Sequence, residues 1–204
     1  MNDTRALAVA GTSAGLGMAA LAVATRSRLV QRMDHAVEQR VRRRRPRLMR
    51  AARIGTLPGE PYAHWPLGAA IAATVVLRRG GPKRRAFIPM ASASLGAILM
   101  HHAVKAVYER ARPRHALLRG KTEPAYPSGH TADATAVLTT GAYLLVREEL
   151  AVPGVVGPIA AALALSVGAS RVALGWHWTS DVVGGWLTGI AVASGCAIAY
   201  ERLR

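Results

Sequence analysis

Apolar residues gather in six stretches, at about 6–24, 62–77, 86–108, 131–146, 153–169 and 182–200, with short polar segments between them. A helix needs about 20 apolar residues to cross the roughly 30 Å hydrocarbon core of a bilayer, and about 17 is the usual minimum. The first, third and last runs meet that length. The second, fourth and fifth meet it only where neighbouring polar residues continue the helix. The pattern predicts an all-α fold: a polytopic membrane helical bundle with about six transmembrane helices, forming one domain over residues 1–204. Ala22-Val23-Ala24 resembles a signal-peptide cleavage site. The first run is longer than the usual apolar core of a signal, however, and only Arg5 precedes it, so it is expected to be retained as a helix.

Charge changes this picture in one region. The chain has 27 Lys+Arg against 11 Asp+Glu, and eleven of the arginines fall within residues 26–53. Within that segment, Leu29, Val30, Met33, Ala36 and Val37 recur at helical intervals, which suits a helix lying in the membrane interface with its arginines on lipid phosphates. A solvated charge run fits equally well. Gly55, Pro58, Gly59 and Pro61 end either structure before the second span. The net charge of +16 alone would suit a nucleic-acid or an anionic-membrane partner. A hydrophobic fraction of 51% and a mean hydropathy of +0.18 argue against a soluble nucleic-acid binder. Membrane lipids are the expected partners, and no nucleic acid; oligomeric state is not encoded in the pattern. The single Cys196 excludes a disulfide framework within the chain.

Candidate chemistry comes from polar residues placed beside apolar runs, where they are unfavourable without a role. Lys105 and Arg112 are seven apart, about two helical turns, and Pro113 ends the helix. Two cations aimed at one point would clamp a phosphate, with the fork of Arg and the point charge of Lys; snorkelling to headgroups explains the pair as well. Ser128, Gly129 and His130 precede the fourth run. A glycine at a helix start lets an anion approach free N–H groups, and His130 can carry a proton near neutral pH. His177 and Asp181, four apart, follow Arg171. On a helix the carboxylate would hold the imidazole tautomer; a helix-capping role for Asp181 is the simpler alternative. Asp133, one turn into the fourth run, should face protein or the site. His101 fits packing better than a pocket role, and Trp176 and Trp178 fit interfacial anchoring. Arg114, His115, Arg119 and Lys121 either draw an anionic substrate or are loop charges.

Taken together, these clusters resemble the phosphatidic acid phosphatase type 2 family, related to the vanadate haloperoxidases. Lys105 with Arg112-Pro113 matches its Lys-x6-Arg-Pro element, Pro127 to His130 its Pro-Ser-Gly-His element, and Ser170 to Asp181 its Ser-Arg-x5-His-x3-Asp element. The resemblance implies a membrane phosphatase needing no metal and no cofactor, acting on a lipid phosphate or diphosphate, phosphatidate-type or polyprenyl-linked. It implies that His177 attacks phosphorus to give a phosphohistidine, that Asp181 orients it, and that His130 moves the proton. Lys105, Arg112, Ser128, Gly129 and Arg171 would hold the phosphoryl oxygens. Independently, no carboxylate cluster has the spacing of a two-metal site. A soluble haloperoxidase conflicts with six apolar runs, and a non-catalytic phospholipid binder conflicts with intact His130, His177 and Asp181.

The resemblance further implies an integral protein of a prokaryotic plasma membrane whose active site is extracytoplasmic. Basic residues argue the other way: nine Lys and Arg fall on the N-terminal side of the six spans and eighteen on the site side. Seven of the eighteen lie in or beside the phosphate motifs, and setting them aside leaves eleven against nine. A cytoplasm-facing site would favour a polyprenyl-phosphosugar phosphatase.

Overall fold

The computed structural model describes residues 2–80, 82 and 84–203; Lys83 and Arg204, two of the charges counted above, lie outside them. Among the described residues there are eight α-helices: α1 (Asn2–Ala24), α2 (Arg28–Gly55), α3 (Pro61–Arg79), α4 (Arg84–Val107), α5 (Arg114–Leu117), α6 (Gly129–Arg147), α7 (Pro153–Ala173) and α8 (Thr179–Leu203). A single 3-10 turn, Leu57–Gly59, joins α2 to α3, and no strand is found among the described residues. Each apolar run coincides with one helix to within a few residues, because polar residues at the run ends extend the helix.

Four helices, α1, α4, α7 and α8, are long and apolar enough to cross a membrane. The other two expected spans, α3 and α6, have 19 residues each, about 28 Å at roughly 1.5 Å per residue, but are more polar. The structure therefore supports four of the six expected crossings by length and composition. The reason is clearest for α6, which packs against α8, α7, α4 and α3. Its Thr131, Thr135 and Thr140 are buried within the protein, so the helix does not need a lipid-compatible surface on every side.

The centre of the bundle is the α6–α8 contact, with α1 along the far side of α8. Gly185 and Gly189, one turn apart on α8, permit the close approach. A Cβ at Gly185 would lie 2.7 Å from the Ser128 carbonyl oxygen, and one at Gly189 2.8 Å from that of Ala132. Small residues at such a spacing bring two membrane helices into backbone contact. The amphipathic α2 starts at Ser27, whose hydroxyl accepts from the Val30 N–H at 3.3 Å. It packs along α7, burying Asp34 and Ala52 and leaving most of its arginines exposed.

Chain direction then decides where the polar clusters meet. The C-terminal ends of α4 and α7 and the N-terminal ends of α3 and α6 wall one cavity, and the start of α8 backs it. At the opposite end Arg147 pairs with Glu201 at 2.7 Å and approaches Asp3 at 3.6 Å, tying α6, α8 and α1 together.

Candidate active site

The cavity measures about 660 Å³, and its walls include Lys105, Arg112, Gly129, His130, Arg171 and His177. Six of the eight residues singled out in the sequence thus converge from four separate segments. The remaining two stand just behind the wall. Asp181 is fully buried beneath His177, with its Oδ2 3.5 Å from Nδ1 of the imidazole. Ser128 precedes α6, and its Oγ is 2.9 Å from Thr131 Oγ1 rather than open to the cavity.

The tautomer of His177 follows from its neighbours. A guanidinium is always protonated and can only donate. Arg112 Nη1 lies 3.2 Å from His177 Nε2, so that nitrogen carries the lone pair and the ring proton sits on Nδ1, facing Asp181. Burial drives the His177 pKa well below the ordinary imidazole value, with the Arg112, Arg171 and Lys105 charges acting in the same direction. The ring is therefore neutral at physiological pH, with its Nε2 lone pair directed at Arg112 in the cavity wall. A neutral, oriented nitrogen is what a nucleophile requires.

Arg112 is held rigidly. Its Nε donates to the Glu123 carbonyl at 2.7 Å and its Nη1 to the Trp176 carbonyl at 3.1 Å. Arg171 donates from Nη1 to Thr56 Oγ1 at 3.0 Å and stacks on the Trp176 ring, with Cζ 4.1 Å from the centroid. These contacts fix both guanidinium groups in the cavity wall that also carries His177. Preorganised cations of this kind stabilise charge that develops on a transferring phosphoryl group. Among the described residues, no three His, Cys, Asp or Glu side chains are arranged to hold a metal ion.

Several residues acquire a place here that their sequence context did not give them. Glu60, in the turn before α3, sets Oε2 3.3 Å from His130 Nε2 and Oε1 4.0 Å from Arg171 Nη1. The only local signal was an isolated carboxylate beside an apolar run in an acid-poor chain. Arg110 and Asp34 join behind Asp181, a contact across 76 residues that no local pattern encodes. His101 and Asp133, 3.5 Å apart, both line the cavity, so His101 does more than fill space. Trp176 and Trp178 also differ from the anchoring expectation: Trp176 stacks on Arg171, while Trp178 donates its Nε1–H to the Ala111 carbonyl at 2.9 Å. Of the loop charges, Lys121 reaches the cavity, whereas Arg114 and His115 line a separate one.

Fold and site together define an integral membrane protein with a histidine-bearing, cation-walled pocket at one end of its helix bundle. The chain belongs to the PAP2 superfamily, whose family model matches residues 86–204. It is 37% identical over 95 residues to phosphatidylglycerophosphatase B of Bacillus subtilis (strain 168), a match covering 45% of this chain and 47% of that protein. The matched segment thus spans about half the length of that curated relative. Its structure resembles the crystal structure of the transmembrane PAP2-type phosphatidylglycerolphosphate phosphatase from Bacillus subtilis. The TM-score is 0.84 and the identity 28%, over 96% of this chain and 98% of the other.

Proposed function

We propose that this protein is a membrane phosphatase that removes the terminal phosphate of a lipid phosphomonoester, with a phosphatidylglycerol phosphate the leading candidate. The observation that carries the reading is the His177 Nε2 lone pair, aimed beside Arg112 in a cavity shared with Lys105, Arg171 and His130. In this scheme Nε2 attacks phosphorus while the bond to the lipid oxygen breaks, and His130 gives that oxygen its proton. His130 then takes a proton from water as the hydroxide attacks phosphorus, the P–N bond breaks and phosphate leaves. Asp181 stabilises the positive imidazole of the phosphohistidine, closing the 3.5 Å gap to Nδ1 to hydrogen-bond length as charge develops. Lys105, Arg112 and Arg171 hold the phosphoryl oxygens with the Gly129 N–H. Ser128 contributes its hydroxyl only after turning away from Thr131.

The substrate preference rests on the names of the two relatives; the cavity itself reads phosphate. All six long apolar runs, α3 and α6 included, are assigned to membrane crossings, an arrangement that would bring a lipid phosphate at headgroup depth to the cavity lined by Pro61 and Ile98. The arginines of α2 are accounted for by headgroup contacts on the same side, so they carry little weight on orientation, and the site is assigned to the extracytoplasmic face of a prokaryotic plasma membrane.

Detergent-purified protein should release phosphate from phosphatidylglycerol phosphate in the presence of EDTA, and His177→Ala should abolish release. A wild-type protein inactive on a broad panel of lipid phosphates and diphosphates, or a fully active His177→Ala, refutes the scheme. Cysteines introduced at 114–124 should react with an impermeant reagent added outside intact cells.

A further inference from the structure

Behind His177 lies a buried ion network that joins the amphipathic helix α2 to the reaction centre. Arg110, in the loop after α4, donates from Nη1 to Asp181 Oδ1 at 2.5 Å and to Ser180 Oγ at 2.6 Å, and from Nη2 to Asp34 Oδ2 at 2.7 Å. Asp34, on α2, accepts in turn from the Ser180 N–H at 3.0 Å and from the Ser180 hydroxyl at 2.6 Å. The side chains of Asp34, Arg110 and Asp181 are 4%, 11% and 0% exposed. Buried ions persist only when paired and hydrogen-bonded, and here every member is.

From this geometry we infer that Asp34 and Arg110 are positioning residues for Asp181, so that α2 serves the reaction as well as the membrane surface; the inference rests on the phosphohistidine scheme above. Two physical consequences support it. The first concerns orientation. Oδ2 of Asp181 accepts the Trp178 N–H at 2.8 Å and faces His177 Nδ1, while Oδ1 is held by Arg110. With both oxygens engaged, the carboxylate cannot turn its plane away from the imidazole. Arg110 is itself oriented by Asp34, since its fork presents one nitrogen to each carboxylate.

The second consequence concerns charge. Arg110 alone against Asp181 would cancel the negative charge that the phosphorylated, positive imidazole requires. Asp34 restores it: the three groups together carry one net negative charge. Trp178 closes the outer side of the network, its ring 6.0 Å from the Arg110 guanidinium carbon and in edge contact with His35 of α2 at 4.7 Å. A cavity of about 300 Å³ borders Asp34 and Arg110 on this side, yet both side chains stay at most 11% exposed, which limits the screening that would weaken the network's effect.

The test is steady-state kinetics of the full-length protein in detergent micelles, on a lipid phosphomonoester, with rates normalised to folded protein by gel filtration. Asp34→Asn keeps the shape and the acceptor for the Ser180 N–H but removes the charge. It should lower kcat roughly 10- to 100-fold, the effect of losing a hydrogen bond to a charged group, with KM within about twofold because the phosphate-binding cations are untouched. Arg110→Lys, which keeps a charge near Asp181, should retain more activity than Arg110→Gln. The pair should be non-additive: Asp34→Asn in the Arg110→Gln background should add little, since Asp34 acts through Arg110. Wild-type kcat in Asp34→Asn, or fully additive losses, overturns the assignment. So does a loss that disappears on normalisation to folded protein. An inactive wild-type protein would instead refute the phosphatase scheme itself, which separates the two failures.

Discussion

Replacing Arg112 by lysine keeps the positive charge and removes the fork, which makes it the sharpest test of how the site binds phosphate. In the structure the guanidinium spends its Nε–H on the Glu123 carbonyl and an Nη1–H on the Trp176 carbonyl, at 2.7 and 3.1 Å, while Nη1 stays 3.2 Å from His177 Nε2. An ammonium has one nitrogen and cannot hold both carbonyls while reaching the cavity. The substitution therefore loosens the 123 and 176 loops and withdraws an oriented donor from the developing phosphoryl charge. Loss of one preorganised donor at such a site lowers kcat by about 10²- to 10³-fold, or roughly 2.7–4 kcal/mol of transition-state stabilisation. Because a cation remains in the cavity, ground-state binding should fall much less, and KM should rise less than about tenfold. Phosphate release from a micellar lipid phosphomonoester, compared among wild type, Arg112→Lys and Arg112→Ala, measures both quantities. An Arg112→Lys enzyme that keeps more than a tenth of wild-type kcat would show that the site needs only charge at this position.

Two further predictions rest on the histidines. Glu60→Gln removes the carboxylate 3.3 Å from His130; turnover should fall on the order of tenfold or more, within the range for disturbed proton transfer, and phosphohistidine should build up in rapid-quench experiments if His130 activates the water. Equal loss in both steps, with no build-up, contradicts that role. Stability should also depend on pH through His177. Its folded pKa lies below the unfolded value of about 6.5, so the unfolded chain takes up the proton first. The contribution is fully present above about pH 6.5 and is lost as pH falls below it, by up to roughly 1.4 kcal/mol per pH unit. Thermal unfolding in detergent should show a shallower slope between pH 6.5 and 5 for His177→Gln than for wild type. Identical slopes would mean that His177 is not held neutral.

Much of the molecule could be read directly from the linear chain, for a physical reason. Lipid forces apolar runs of a defined length, so hydrophobicity alone located all six long apolar helices to within a few residues. Polar groups beside such runs are unfavourable, so Lys105, Arg112, His130, Arg171, His177 and Asp181 stood out before any fold was known. Gly55, Pro58, Gly59 and Pro61 marked the break between α2 and α3 because those residues terminate helices by backbone geometry.

Tertiary structure decided everything that depends on contact between distant segments. Whether α6 needs a lipid-facing surface is set by the four helices around it, so its buried threonines and Asp133 leave its crossing unsupported by length and composition alone. Glu60 meets His130 from the turn before α3, and Asp34 meets Arg110 across 76 residues. Neither pairing leaves a periodic trace, because a single ion pair needs only one residue on each element. The direction of Ser128, turned to Thr131, and the tautomer of His177, set by Arg112, are likewise matters of ångströms. Sequence determined which polar groups sit at the ends of the apolar runs; packing determined which of them face one another.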